Sequence, residues 1–157
     1  MAAGDELRAL LRTVPAPVTV VTVDVEGERL GLTVAAFVSL SLDPPLVGVA
    51  VSRHAAMHEL LRRADAFAVN VLAAGQEHVA QHFARGVPPI GLWQGVDVRD
   101  GLTGAPLLDG AAGWLECRPE DVHSMGDHSL FVGQVVRAEA GAAAETLVYV
   151  RQRYASL

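Results

Sequence analysis

Lysine is missing from this 157-residue chain, so all twelve of its basic side chains are arginines. That excludes Schiff-base catalysis and any phosphate loop built around a lysine. Cysteine is nearly missing too. The lone Cys117 rules out an internal disulfide and fits a reducing compartment. No apolar run reaches the roughly 18 to 20 residues of a membrane-spanning helix, because Asp, Arg or Pro interrupts each one. Positive charge is in deficit, and a net charge of −6 argues against nucleic acid as the main partner. The opening MAAGDELRALLRTV carries acidic residues early, with no basic start before an apolar block. No signal peptide is expected, and the expected location is cytoplasmic.

Familiar motifs are lacking as well. There is no strand–GxGxxG–helix unit for a dinucleotide-binding Rossmann domain, and no GxSxG elbow for a nucleophilic serine. Six histidines are present, with His54 and His58 four apart and His78 and His82 likewise. Each pair can share a helix face, yet no carboxylate or thiol falls at a matching spacing and EHVAQH is not HExxH. The expected metal content is none, and these histidines read as solvated helix faces. Cys117, on the apolar stretch GWLECRPE, reads as a buried, inert thiol rather than a nucleophile.

What remains is a chain 51% hydrophobic and 19% charged, enough to bury a core as one domain over residues 1–157. Helical spacing of Leu7, Leu10, Leu11 and Val14 predicts a first helix over 5–14, capped by Asp5. VTVVTVDV (18–25) predicts a strand, EGE a hairpin turn, and 29–41 the returning strand. Asp43-Pro44-Pro45 forces a bend before a buried strand over 46–51. A helix through Met57, Leu60, Leu61 and Ala64, a strand at 65–72 and a short helix in GQEHVAQHFA follow. After a turn-rich excursion, strands are expected at about 112–119, 128–138 and 145–150. Seven or so strands with short inserted helices favour a small β-barrel.

Two stretches bear on chemistry. In HSMGDHSLFVGQVV (123–136), Gly126-Asp127 makes a tight turn and His128 opens an apolar strand. A histidine at a strand mouth beside an aspartate either contacts a ligand or is the exposed imidazole of a hairpin. In LVYVRQRYASL (147–157), Tyr149 is expected to point inward, and Tyr154 is either a packing anchor or a cover over a ligand.

VPAPVTVVT, GLTVAAFVSLSLDPPLVGVAV, FAVNVL, LDGAAGWLEC, GDHSLFVGQV and LVYVRQRY occur in an order that resembles the flavin reductase family, over roughly residues 7–154. The resemblance implies a mostly β, Greek-key split barrel of the FMN-binding type with short peripheral helices. It implies an NAD(P)H:flavin oxidoreductase that uses FMN or FAD with NADH or NADPH. It further implies a homodimer with its flavin slot at the subunit interface, and reduced flavin supplied to a separate monooxygenase. By that resemblance Thr33, Val34, Ala35, Ala36 and Ser39 line the flavin ring and ribityl chain. Ser52, Arg53, His54, Ala55, Ala56 and Met57 form the phosphate loop. Phe83, Ala84 and Arg85 reach the phosphate or adenine end, while His128 and Tyr154 meet the nicotinamide nucleotide. His128 is the expected catalytic-site histidine, in an orienting role, since hydride transfer needs no proton partner.

This chain departs from the family pattern where it has Ala35-Ala36 in place of a polar pair, Ala55 and Met57 in place of Ser and Thr, and Gln152-Arg153-Tyr154 in place of Gly-x-Tyr. Each lost hydroxyl removes roughly 0.5 to 1.5 kcal/mol of hydrogen bonding, so three would weaken flavin binding by about one to three decades. A charge-assisted bond from Arg53 offsets part of that loss. Two further readings stand beside the reductase: a barrel of the same fold that binds another ligand or runs another reaction, and a partner-docking barrel without cofactor.

Overall fold

The computed structural model describes residues 3–84 and 89–157. Its elements, in order, are α1 (Ala3–Leu11), β1 (Ala16–Pro17), β2 (Thr19–Val25), β3 (Glu28–Val34), β4 (Phe37–Leu42), β5 (Pro45–Ser52), α2 (Ala56–Arg63), β6 (Phe67–Val71), α3 (Glu77–Ala84) and α4 (Pro89–Leu92). Then come β7 (Val98–Asp100), β8 (Pro106–Leu108), β9 (Gly113–Met125), β10 (His128–Ala140), β11 (Leu147–Val150) and β12 (Arg153–Ser156). No helix among the described residues is long and apolar enough to cross a membrane.

Seven strands form one sheet in the order β3-β2-β6-β9-β10-β5-β4. Every pairing within it is antiparallel. Its two edge strands, β3 and β4, are consecutive in sequence and separated only by Ala35 and Ala36. Two residues span less than about 11 Å, so the edges must curl round until they nearly meet. The result is a barrel, open only by the gap those alanines cross. Here the structure corrects the single strand expected over 29–41. That stretch is two strands, because its first half pairs with β2 and its second half with β5.

Period-2 alternation explains the core. On β2, Val21, Val23 and Val25 point into the barrel with Val47, Val49, Val51, Phe67 and Phe131, and α2 plugs one end with Met57, Leu60 and Leu61. The alternate residues Val18 and Val20 face outward and join Leu72, Phe83, Leu92, Leu108 and Leu147 in a second core under α3. β2 is therefore buried on both faces, as its unbroken apolar run requires. Gly133 lets β10 pass Phe67, since a Cβ there would lie 2.5 Å from the Phe67 ring. The hairpin turn at Glu26-Gly27 has positive φ at both residues, 55° and 87°, matching the twist of the flanking strands.

The first helix ends at Leu11 and buries none of its residues, leaving Leu7, Leu10 and Leu11 exposed. Asp5 sits inside its first turn, where a carboxylate favours the helix dipole, and not at the cap. β12 was not expected. It pairs with β11, which pairs with β1, in a small three-stranded sheet flanking the barrel.

Buried polar side chains tie the outer layer to the barrel. Asn70 Nδ2 donates to the Val20 carbonyl at 2.9 Å and to Thr22 Oγ1 at 3.1 Å, and Asn70 Oδ1 accepts the Leu108 N–H at 2.8 Å. Thr22 in turn donates to the Pro106 carbonyl at 2.5 Å. Glu116, 1% exposed, accepts from the N–H and hydroxyl of Thr103 at 2.9 and 2.8 Å. Burial pushes its pKa up, but Thr103, the Leu102 backbone and Arg137 together outweigh burial and hold it below the usual carboxylate value. A lowered folded-state pKa stabilises the fold at neutral pH, and that contribution disappears as pH falls through the folded value. Glu116→Gln is therefore expected to cost about 1 kcal/mol at pH 7, and its gap from wild type should narrow below about pH 4 in urea unfolding at a series of pH values. A gap that is independent of pH would contradict this account.

Candidate functional site

The site grows from the gap in the barrel. The Ala50 N–H donates to the Ala36 carbonyl at 2.9 Å, joining the gap to β5. Two residues further on, Ser52 pairs in register with His128 at the start of β10. The Arg53 N–H closes the row by donating to the Asp127 carbonyl at 3.0 Å. Ala36, Ala50, Ser52, Arg53, Asp127 and His128 thus meet on the outer face of the barrel, although 76 residues of sequence separate Ser52 from His128.

A crevice of about 650 Å³ opens beside this row. Leu7, Leu11 and Val14 form one wall, while Ala35, Ala36 and Tyr149 form the other; Arg8, Arg12 and Asp127 supply its charges. His128 Nδ1–H donates to the Asp127 carboxylate at 2.7 Å. That bond holds the Asp127 carboxyl below its ordinary pKa, and it leaves Nε2 of the imidazole for another partner.

Of the residues singled out from sequence, Ala35, Ala36, Ser52, Arg53, His54 and His128 come together here. Others do not. Val34 is 5% exposed and Met57 1% exposed, and both pack in the barrel core. They offer no side-chain surface to a ligand, because an alternate strand position and an inward helix position are already claimed by packing. Phe83 is likewise 1% exposed in the second core, edge-on to His82 and tilted on Trp93. The Thr33 hydroxyl is occupied, donating to the Ala80 carbonyl at 2.6 Å. Ala55 packs against the barrel core, so the loop presents Ser52, Arg53 and His54. Ser39 is exposed further along the edge strand β4, and Ala84 is exposed at the end of α3. Arg85 lies outside the described residues.

Tyr154 packs against the second core and meets Tyr149 ring to ring at 5.0 Å. It is Tyr149, expected to point inward, that faces the crevice. The reversal follows from β11 belonging to the small flanking sheet, whose faces an alternating pattern alone cannot orient. Sequence reading also missed Ala50, which shows no local sign of a role until strand pairing sets it beside Ala36. His82 is a structural donor to the Leu92 carbonyl at 2.6 Å. Among the described residues no three His, Cys, Asp or Glu are placed to hold a metal ion. Cys117 is fully buried, and burial first, with Glu116 adding, pushes its thiol up to about 12.

Methyl side chains at the gap, a long apolar wall and an exposed arginine beside a histidine–aspartate pair fit a flat heterocycle carrying an anionic tail. Together with the curled seven-stranded sheet, they define a split β-barrel with an apolar crevice at its gap. The flavin reductase like domain family matches residues 11–157, and the chain belongs to that family. It is 40% identical to an NADH-dependent FAD reductase of Streptomyces globisporus, over 95% of this chain and 83% of that one. It is also 40% identical to the reductase component of 4-hydroxyphenylacetate 3-monooxygenase of Thermus thermophilus, over 89% of this chain and 87% of that one. The solved NADH:FAD oxidoreductase SgcE6 of Streptomyces globisporus C-1027, in complex with NAD and FAD fragments, superposes with a TM-score of 0.91 at 39% identity, covering 98% of this chain and 92% of that one.

Proposed function

We propose that the chain is an NAD(P)H-dependent flavin reductase whose flavin, FMN or FAD, binds along the row from Ala36 to Arg53. The observation that carries this reading is that row itself: small side chains and backbone beside an apolar crevice, with a cation at one end. Bound flavin supplies the hydride-accepting chemistry, and the nicotinamide supplies the hydride.

The chain's own part is to bind and align. Ala35 and Ala36 add no bulk, so a flat ring can approach the backbone between β3 and β4. Ser52, Arg53 and His54 offer a hydroxyl, a guanidinium and an imidazole to a phosphate tail. His128, held by Asp127, orients the nicotinamide nucleotide through Nε2. Leu7, Leu11 and Val14 give the crevice an apolar wall for the ring to lie against.

The reading includes a homodimer and a separate flavin-consuming monooxygenase. Exposed Leu7, Leu10, Leu11, Val38, Leu40 and Met125 would be covered by a second copy. The oxygenase partner is supported by the relatedness to a monooxygenase reductase component.

The test is direct. Purified chain mixed in turn with FMN, FAD and riboflavin should perturb the visible flavin spectrum and oxidise NADH only when flavin is present, with a sedimentation mass of two chains. A second reading, a barrel binding another ligand, draws on the scarcity of free hydroxyls at the gap, where Thr33 is already bonded to Ala80. Flavin binding without dinucleotide oxidation would favour it, and neither signal would sink the reductase.

A further inference from the structure

A second pocket, of about 560 Å³, lies on the inner face of the β9–β10 hairpin beside α2. Strand alternation sets it there. Ser129 and Phe131 point to the inner face of the hairpin, and their cross-strand partners Ser124 and Val122 point the same way. α2 packs across this end and brings His58 within 2.8 Å of the Ser129 hydroxyl, edge-on to Phe131 at 5.1 Å. Arg62, one turn further along α2, and Arg53, from the loop before it, complete the lining.

The two guanidiniums that line this pocket have no carboxylate partner in it. Arg29, Arg63, Arg99 and Arg137 each pair with a carboxylate. Among the described residues Arg53 and Arg62 pair with none. The carboxylate on the same helix, Glu59, leans toward Arg63 at 3.9 Å. Two guanidiniums free of carboxylates, an imidazole bonded to the Ser129 hydroxyl and the Ser124 hydroxyl surround one cavity.

We propose that Arg53, His58, Arg62, Ser124 and Ser129 bind a phosphate dianion, and that His58 takes up a proton as it enters. The identity of the donor molecule rests on the flavin reductase reading. Arg53 lines this pocket while its N–H donates to Asp127 of the crevice, so a flavin phosphate beyond the crevice edge comes within reach of this site. Free inorganic phosphate offers the same chemistry.

The proton follows from the surroundings of His58. Burial first, then Arg62 and Arg53, lower its pKa, with Glu59 alone raising it. From β9 and β10 it faces only Ser124, Val122, Ser129 and Phe131, none of them charged. These surroundings favour the neutral ring at pH 7. A dianion reverses the local field and raises the pKa, so binding must strengthen as pH falls.

Sulfate is the cleanest probe, because it stays a dianion where phosphate itself titrates near pH 6. Calorimetric titration of the full chain with sulfate should show about tenfold tighter binding at pH 5.5 than at pH 8. Arg62→Ala, an exposed position, should weaken binding about tenfold. His58→Gln should abolish the pH dependence while keeping a bond to Ser129. Ser124→Glu, on an exposed strand position, should match the loss from Arg62→Ala and guards against an unstable His58 variant. Equal sulfate affinity in wild type and Arg62→Ala overturns the site, and a preserved pH slope in His58→Gln overturns the proton uptake.

Steady-state reduction then names the source. A fall in the preference for FMN over riboflavin in Arg62→Ala assigns the phosphate to the flavin, and an unchanged preference with lost sulfate binding assigns it to free phosphate. Reduction of FMN, FAD and riboflavin by NADH is the independent check. Its absence with all three, with sulfate binding intact, overturns the reductase reading and leaves the anion site standing.

Discussion

Replacing Asn70 by alanine is expected to lower unfolding stability by about 3 kcal/mol and the melting temperature by about 6 to 12 °C. The side chain is fully buried and makes three hydrogen bonds, to Val20, Thr22 and the Leu108 N–H. Alanine removes all three and leaves the Leu108 donor, itself 2% exposed, without a partner in a place water does not reach. An unsatisfied buried donor costs about 1 to 3 kcal/mol by itself, and the small cavity adds to it. Urea unfolding with an unchanged slope would report the loss cleanly. A change below about 1 kcal/mol would show that β8 is not pinned to the barrel by this residue. Flavin reduction by the folded variant should persist, because Asn70 lies between β2 and β8 and not on the row from Ala36 to Arg53.

The second large effect concerns catalysis. His128→Ala should raise the Michaelis constant for NADH about tenfold while leaving flavin affinity within about twofold, since one hydrogen bond of roughly 1.4 kcal/mol is lost from the nicotinamide side alone. His128 opens β10 opposite Ser52 and is gripped by Asp127 at 2.7 Å. Asp127→Asn should move the same constant in the same direction by less, because the ring keeps a partner but loses an anionic one. NADH kinetics identical to wild type in His128→Ala would remove this residue from the site. An equal loss of flavin affinity would place it on the flavin instead.

Much of the barrel was legible before any coordinates. The alternation of valines at 18–25, Glu26-Gly27, Asp43-Pro44-Pro45 and Gly126-Asp127 are all short-range signals. Steric limits on φ and ψ and the period of a strand act over two to four residues, so a linear reading reaches them. The position of His128 at a strand mouth beside an aspartate was legible for the same reason.

Tertiary structure alone decided which of several chemically suitable residues stay free. Val34, Met57 and Phe83 are spent on packing, and the Thr33 hydroxyl on Ala80. The choice between Tyr149 and Tyr154 depended on a small sheet assembled from the two ends of the chain. Closure of the barrel at Ala35-Ala36 depended on where each half of 29–41 found its partner strand. Such pairings join residues far apart in the chain, and their register is settled by the whole set of buried contacts at once. Local pattern therefore determined the strands and turns of this protein, while long-range pairing decided which side chains are left to meet a ligand.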